Sequence, residues 1–461
     1  MTSTLNSSLS SRDTEPDLST QYGGPDGNDG SDAVASGAEK DGMFRSLRVR
    51  NYRLYASGQL ISLTGTWMAR VAQDWLVLEL TNSGTALGIV TALQFGPALL
   101  LSLWGGVLAD RGDKRRLLLL TQSLLALTTM LLGVLVLAGV ITYPQVLALA
   151  LAMGIIAAID TPIRQAFVVE MVGKDDLTNA VGINSTIFNA GRILGPAIAG
   201  VMIAVVGLGW AFVANAISSI AVLAGLWMMR PAELYPSPHL LRAKGQLRDG
   251  VRYVRHRQDL LLTMLLVFII GTFGLNFQIT TAILAKHVFH KSASGYGLLS
   301  TALAVGACIG AVLATRRRRR PGSLFLIGAA LAFGLLEIAS GLMPGFLSTA
   351  LVLVPTGLAM LTFTTAANAS VQLGVEPTMR GRVMALYLMC FMGGTPFGAP
   401  VVGWMASAIG PRWGIIGGGL ISAGSAVVLG FALMRQRELS LGDAVAQLCA
   451  RIIRRPLAET L

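Results

Sequence analysis

Apolar residues fill this chain in long blocks, separated by short polar or basic intervals, with little of the strict alternation that marks a half-buried strand. Blocks of this kind suit a bilayer, because roughly 20 mainly apolar helical residues cross a hydrocarbon core of about 30 Å. Twelve spanning helices are predicted, centred near residues 67, 97, 128, 156, 192, 218, 270, 304, 332, 358, 394 and 422.

The pattern also repeats. The second block closes with Gly-Gly-Val-Leu-Ala-Asp-Arg-Gly-Asp-Lys-Arg-Arg at 105–116, and its skeleton returns as Gly310-Ala-Val-Leu-Ala-Thr-Arg316, an offset of 205 residues from Gly106 to Ala311. Gly195-Pro-Ala-Ile-Ala-Gly200 overlays Gly398-Ala-Pro-Val-Val-Gly403 at an offset of 203. A unit of about 200 apolar residues is too long for a solenoid repeat and fits six spanning helices. The predicted fold is therefore an all-α membrane protein of twelve transmembrane helices in two six-helix halves, residues 43–229 and 259–434, joined by a cytoplasmic linker at 230–258.

Composition strengthens this picture: hydrophobic residues make up 53% and charged residues 13%, with a mean hydropathy of +0.63. Orientation follows from the cations, which concentrate in short loops on the cytoplasmic side. Of the 36 Lys and Arg, 30 fall in the tails and the even-numbered loops, so both termini are expected in the cytoplasm and the chain is expected as a multi-pass protein of the inner (cytoplasmic) membrane. The net charge of +12 and the five arginines at 316–320 do not call for nucleic acid; between two spans they read as topology determinants facing anionic membrane lipids.

Residues 1–42 carry eight acidic residues against Arg12 and Lys40 and no apolar block. A disordered tail is expected there, with no cleaved signal peptide. Residues 435–461 form a basic cytoplasmic tail in which Leu439–Ile453 reads either as an amphipathic helix on the membrane surface or as disordered chain. Cys308, Cys390 and Cys449 are too scattered for a disulfide framework or a metal site, and no cofactor is called for.

The absence of a Gly-x-x-x-x-Gly-Lys-[Ser/Thr] loop removes ATP as a direct energy source, and no constellation of His, Cys or nucleophile suggests an enzyme. Ion coupling then falls to ionisable groups at membrane depth. In the first helix Gln59, Ser62, Thr66, Arg70, Gln73 and Asp74 share one face. Arg70 and Asp74, one turn apart, are expected to pair, either as a resting pair whose loosening lets Asp74 take a proton or as a permanent closure of the outer end. Asp160 and Arg164 repeat the spacing in the fourth helix, where a structural pair is favoured and Asp160 as a proton-coupling group is the alternative. Glu337 stands alone in the ninth, as a second proton site or as a neutral acid near the outer surface.

Arg192 shares a stripe with Ser185, Asn189 and Pro196, and is expected to face a central cavity. Gly191, Gly195, Pro196 and Gly200 allow a close, bent helix contact that either seals a cavity or only packs. Gly106, Asp110, Arg111, Lys114 and Arg115, with Glu170, are expected to form a latch holding the two halves together on the cytoplasmic side, Asp110 capping an opposing helix.

These segments resemble the major facilitator superfamily. The 106–115 loop is similar to its loop 2-3 signature, with Asp113 where many members have glycine. Gly191–Gly200 is similar to the fifth-helix motif of its drug:proton antiporters, with Ala199 in place of a glycine. Gly65–Leu78 and Arg164–Phe167 resemble the branch containing enterobactin exporters and macrolide efflux pumps. The resemblance covers nearly all of 43–437 and implies a monomer that exports an amphiphilic small-molecule substrate, drug or siderophore-like, in exchange for protons, the halves rocking about a midplane site. Cavity walls are then expected from Trp67, Gln94, Asn189, Asn276, Gln278, Thr365, Asn368, Gln372 and Tyr387, with methionines such as Met384 and Met389. A lipid flippase or importer of the same fold, and a transport-dead sensor or scaffold working through its tails, are the alternatives.

Overall fold

The computed structural model describes residues 44–173, 175–235, 246–315 and 321–436. The acidic tail at 1–42, the arginines at 316–320, Cys449 and the Leu439–Ile453 segment lie outside them. The described chain is helical almost throughout: α1 (Arg50–Thr81), α2 (Gly84–Arg111), α3 (Lys114–Leu137), α4 (Tyr143–Val172), α5 (Leu177–Val206), α6 (Leu208–Trp227), α7 (Gln246–His256), α8 (Gln258–Phe273), α9 (Phe277–Ile283), α10 (Ala293–Thr315), α11 (Ser323–Leu342), α12 (Phe346–Gly374), α13 (Pro377–Gly393), α14 (Thr395–Ala408) and α15 (Trp413–Gln436).

Short polar signals set the boundaries. Ser83 Oγ accepts from Ala86 N at 3.3 Å to start α2, and Asp113 accepts from Arg116 N at 3.1 Å to start α3. Thr142 N donates to Gln145 Oε1 at 2.8 Å within the capping box of α4, which ends at Gly173 with φ +72°. Among the described residues eleven stretches are long and apolar enough to cross a membrane. The first helix is not one of them, since Arg70, Gln73 and Asp74 lower its hydropathy.

Two predicted spans are interrupted. The seventh breaks between α8 and α9 at Gly274–Asn276, continuing into a π-helical turn at Leu284–Val288; the eleventh breaks at Gly394, followed by Pro396 in the first turn of α14. Asn276 Nδ2 donates to Thr272 O at 2.7 Å and Phe273 O at 3.3 Å, supplying donors to carbonyls at the helix end. The two interruptions touch, because a Cβ on Gly394 would come within 2.9 Å of Thr272 Cα.

Helices α1–α6 pack on one another, α1 against α5 and α6, α2 against α4, and α3 against α4 and α6. In the second set α10 lies on α12, α11 on α12 and α15, and α8 on α13 and α15; α2 meets α14 and α5 meets α10 across the two sets. Leucines 124, 127 and 131 of α3 and valines 427 and 428 of α15 remain exposed, an apolar exterior suited to lipid.

The chain entering α1, the loop between α2 and α3 and the approach to α8 lie at one end, called here the basic end. At the opposite end one buried core joins both sets, including Leu76, Leu78 and Val90 with Ile283, Leu284 and Ala399. At the basic end a separate core of Tyr52, Phe167, Met171 and Leu226 is built from the first set alone.

Candidate functional site

Small residues permit the contact between the two sets at the end away from the basic loops. A Cβ on Gly88 of α2 would lie 2.7 Å from Pro400 Cα and 2.8 Å from the Ala399 carbonyl carbon, and one on Gly84 would lie 2.8 Å from Gly403 O. Ser407 Oγ accepts from Gly84 N at 2.9 Å and Thr85 N at 3.2 Å. On the other flank, a Cβ on Gly200 of α5 would sit 3.0 Å from Ser294 Cα of α10.

Between these flanks stands Asp74. It is 5% exposed, and its Oδ2 accepts the Tyr296 hydroxyl of α10 at 2.7 Å. One turn further along α1, Lys286 Nζ donates to Leu78 O, and His287 Nε2 lies 2.9 Å from Asn82 Oδ1. The expected Arg70–Asp74 ion pair is absent among the described residues. Arg70 instead places its guanidinium 5.0 Å from the Trp67 ring centre and 5.7 Å from that of Phe95, within electrostatic range of Asp74 but not bonded to it. A tyrosine from the facing set holds one carboxylate oxygen, while two aromatic faces hold the cation.

Asp160 is enclosed differently. At 2% exposure it accepts from Thr121 Oγ1 at 2.6 Å, Gln122 Nε2 at 2.8 Å and Arg164 Nε at 3.0 Å, while Arg164 Nη1 donates to Gln59 Oε1 at 2.9 Å. This network ties α1, α3 and α4 together, and every partner belongs to the first set.

The loop between α2 and α3 corrects another expectation. Lys114 Nζ donates to Glu170 Oε1 at 2.6 Å, and Arg115 donates through Nε to Leu226 O at 2.6 Å and through Nη2 to Trp227 O at 2.7 Å. These contacts join α3 to α4 and to the carbonyl end of α6, so they brace one half rather than latch two. Asp113 caps α3, Gly106 is buried and Arg111 is exposed. Because the Lys114–Glu170 pair is largely shielded, Glu170→Gln is expected to lower stability by about 1.5–3 kcal/mol, measured as an earlier thermal midpoint in detergent; the exchange Lys114→Glu with Glu170→Lys should recover part of the loss.

In α5 the glycine motif serves two neighbours. Gly191 and Gly195 face α1, where a Cβ on Gly195 would come within 3.0 Å of Met68 N and Thr64 O, while Pro196 and Gly200 face Gly297 and Ser294 of α10. Arg192 lies toward Cys308 of α10.

The proposed wall residues divide. Trp67 packs edge-on against Phe188 at 5.6 Å, and its buried Nε1 has no acceptor among the described residues. Asn276 caps a helix end and is buried, so the break takes it out of a cavity wall. Tyr387 is buried, donates to Thr364 O at 3.2 Å and stacks on Phe391. Asn189 and Thr365 bond their own helices, through Ser185 O at 2.8 Å and Leu361 O at 2.6 Å. Gln94, Gln278 and Asn368 are half-buried, and Gln372 is exposed. Glu337 is 2% exposed against Gly418 of α15, its Oε2 without a hydrogen-bond partner among the described residues.

Tyr296, Lys286, His287 and Ser407 were not singled out from the sequence. Gly84 and Gly88, four residues apart, were the available signal for a close helix contact.

Residues 42–461 match the transmembrane secretion effector family. The staphyloferrin A transporter of Staphylococcus aureus is 31% identical over 291 residues, which cover 60% of this chain and 72% of that protein. The enterobactin exporter of Citrobacter koseri is 25% identical over 399 residues, covering 83% of this chain and 91% of that protein. A crystal structure of a bacterial homolog of the human lysosomal transporter Spinster shares the fold, with a TM-score of 0.62 at 18% identity over 85% of this chain and 96% of that one.

Proposed function

The chain belongs to the transmembrane secretion effector family, within the major facilitator superfamily of transporters, and we propose that it exports an amphiphilic small molecule across the cytoplasmic membrane in exchange for protons. In this reading α1 is a twelfth span beside the eleven apolar ones, the basic end and both termini face the cytoplasm, and one monomer suffices, its residues 43–229 rocking against 259–434.

The observation that carries the reading is the buried Asp74–Tyr296 hydrogen bond between α1 and α10. It sits where the two sets close, so opening that end must break it. Closure over an ionised carboxylate removes that charge from water, whereas closure over the protonated acid does not. An empty carrier thus returns more readily once Asp74 has taken a proton from outside. Once the basic end opens to water, the acid is hydrated again and the proton leaves toward the cytoplasm. Substrate that draws Arg70 away leaves Asp74 uncompensated and promotes reopening. Glu337, whose Oε2 has no hydrogen-bond partner among the described residues, is a further candidate for proton exchange.

Siderophore-like cargo is the substrate class favoured by the relatives' names, and export is favoured by the enterobactin relative. Direction is tested by loading cells with radiolabelled enterobactin. Cells expressing the protein are expected to retain less label, and a protonophore to abolish the difference; greater retention in expressing cells would establish import instead.

A further inference from the structure

The seventh span ends its first segment at Phe273 and resumes at Phe277. A helix broken in this way leaves carbonyls at the end of the first segment without partners from a following turn. Asn276 Nδ2 serves the Thr272 and Phe273 carbonyls, the second at 3.3 Å, and a carbonyl oxygen has two lone pairs to satisfy. In membrane carriers, the ends of half-helices and their unwound carbonyls are where small cations are held.

Glu337 of α11 stands at this break. A Cβ on Gly418 of α15 would come 2.7 Å from Phe273 O and 2.9 Å from Glu337 Oε1, so the carbonyl and the carboxylate crowd one glycine. Ser422 Oγ, which donates to Gly418 O at 2.8 Å, would lie 2.5 Å from a Cβ on Gly274. Glu337 is 2% exposed, its Oε2 has no hydrogen-bond partner, and no cation lies in charge range of it among the described residues. Carboxylate, carbonyl and hydroxyl oxygens thus gather at the break with no positive charge among the described residues to offset them.

We infer that Glu337 and the Phe273 carbonyl, with Ser422 beside them, form a sodium site that ties the broken seventh span to α11 and α15. Oxygen donors select a hard cation over zinc or copper. One carboxylate balances one monovalent charge, whereas a divalent ion would leave net charge buried in the span. A space in which a single added carbon crowds both oxygens favours sodium over the larger potassium ion. Sodium and a proton are alternative occupants of this carboxylate. The site is separate from Asp74 and does not rest on the export reading.

The test measures binding of radiolabelled sodium to the purified full chain in detergent and sodium-free buffer. Saturable binding is expected, displaced by unlabelled sodium and not by an equal concentration of potassium. Glu337→Gln keeps the size of the side chain and removes its charge, so it should lose this binding, while Asp74→Asn should bind as the native chain does. On the native chain alone, sodium chloride should raise the thermal midpoint above that in potassium chloride, a measurement that does not depend on how any variant folds. A native chain without saturable sodium binding overturns the proposal and leaves Glu337 a neutral acid. Native-like binding by Glu337→Gln, or equal displacement by potassium, overturns it as well. Because the assay needs neither cargo nor a pH gradient, it separates the two readings. Proton-coupled export without sodium binding keeps export and defeats the site; sodium binding by a chain that moves no protons does the reverse.

Discussion

Asp74→Asn is expected to abolish proton-coupled export while leaving the protein folded and in the membrane. Asparagine keeps an oxygen that can accept from the Tyr296 hydroxyl, which lies 2.7 Å from the carboxylate in the native chain. The contact between α1 and α10 can therefore survive, but the group can no longer gain or lose a proton. Export driven by a pH gradient should therefore fall to the level of cells that lack the protein. Exchange of substrate down its own gradient should persist. Efflux from cells, compared with and without a protonophore, reads the difference. Retention of full protonophore-sensitive efflux by the variant would remove Asp74 from the coupling step.

Gly88→Leu is expected to prevent closure of the end opposite the basic loops, and with it the whole transport cycle. Even a Cβ at Gly88 would meet the α14 backbone at 2.7 Å from Pro400 Cα, and backbone cannot rotate aside as a side-chain tip can. Overpacking of this kind costs about 1–3 kcal/mol for smaller insertions, and leucine adds further bulk in the same cleft. The closed state should lose at least roughly tenfold in population relative to the open one. A cysteine introduced at Ala399, which is fully buried against Gly88 in the closed arrangement, should then react faster with a membrane-impermeant maleimide applied from outside. Unchanged labelling and native export rates would show that α2 and α14 need not approach this closely.

The helical membrane architecture was legible because it depends on block length and apolarity, and both are local. The nearly constant offset of Gly106/Ala311 and Gly195/Gly398 is a property of the sequence alone and carries the expectation of two halves. The Lys114–Glu170 pairing follows from charge and loop position, but its span did not: the pair joins α3 to α4, and no sequence pattern says whether a loop cation reaches within its own half or across to the other.

The candidate site was half legible. Asp74 and Arg70 stand out as charges in an apolar helix, yet their expected mutual pairing ignored Tyr296, which lies 222 residues away and enters only through the packing of α10. The breaks at Gly274–Asn276 and Gly394 were hidden for a related reason. Glycine in a span is compatible with an unbroken helix, and the two breaks become evident only where they meet at Thr272. Asn276 looked like a cavity residue because a polar side chain in a span needs a partner; its partners proved to be the carbonyls at the end of α8.

The central claim is that cargo export is tied to proton movement through Asp74. Inside-out vesicles acidified in the lumen, with a pH-sensitive dye reporting the gradient, measure this directly when a compound bound by the purified protein is added outside. The account predicts a compound-triggered loss of the gradient with the native chain and none with Asp74→Asn. An equal loss with both proteins, or an unchanged gradient while the native chain carries that compound into the vesicles, would contradict it.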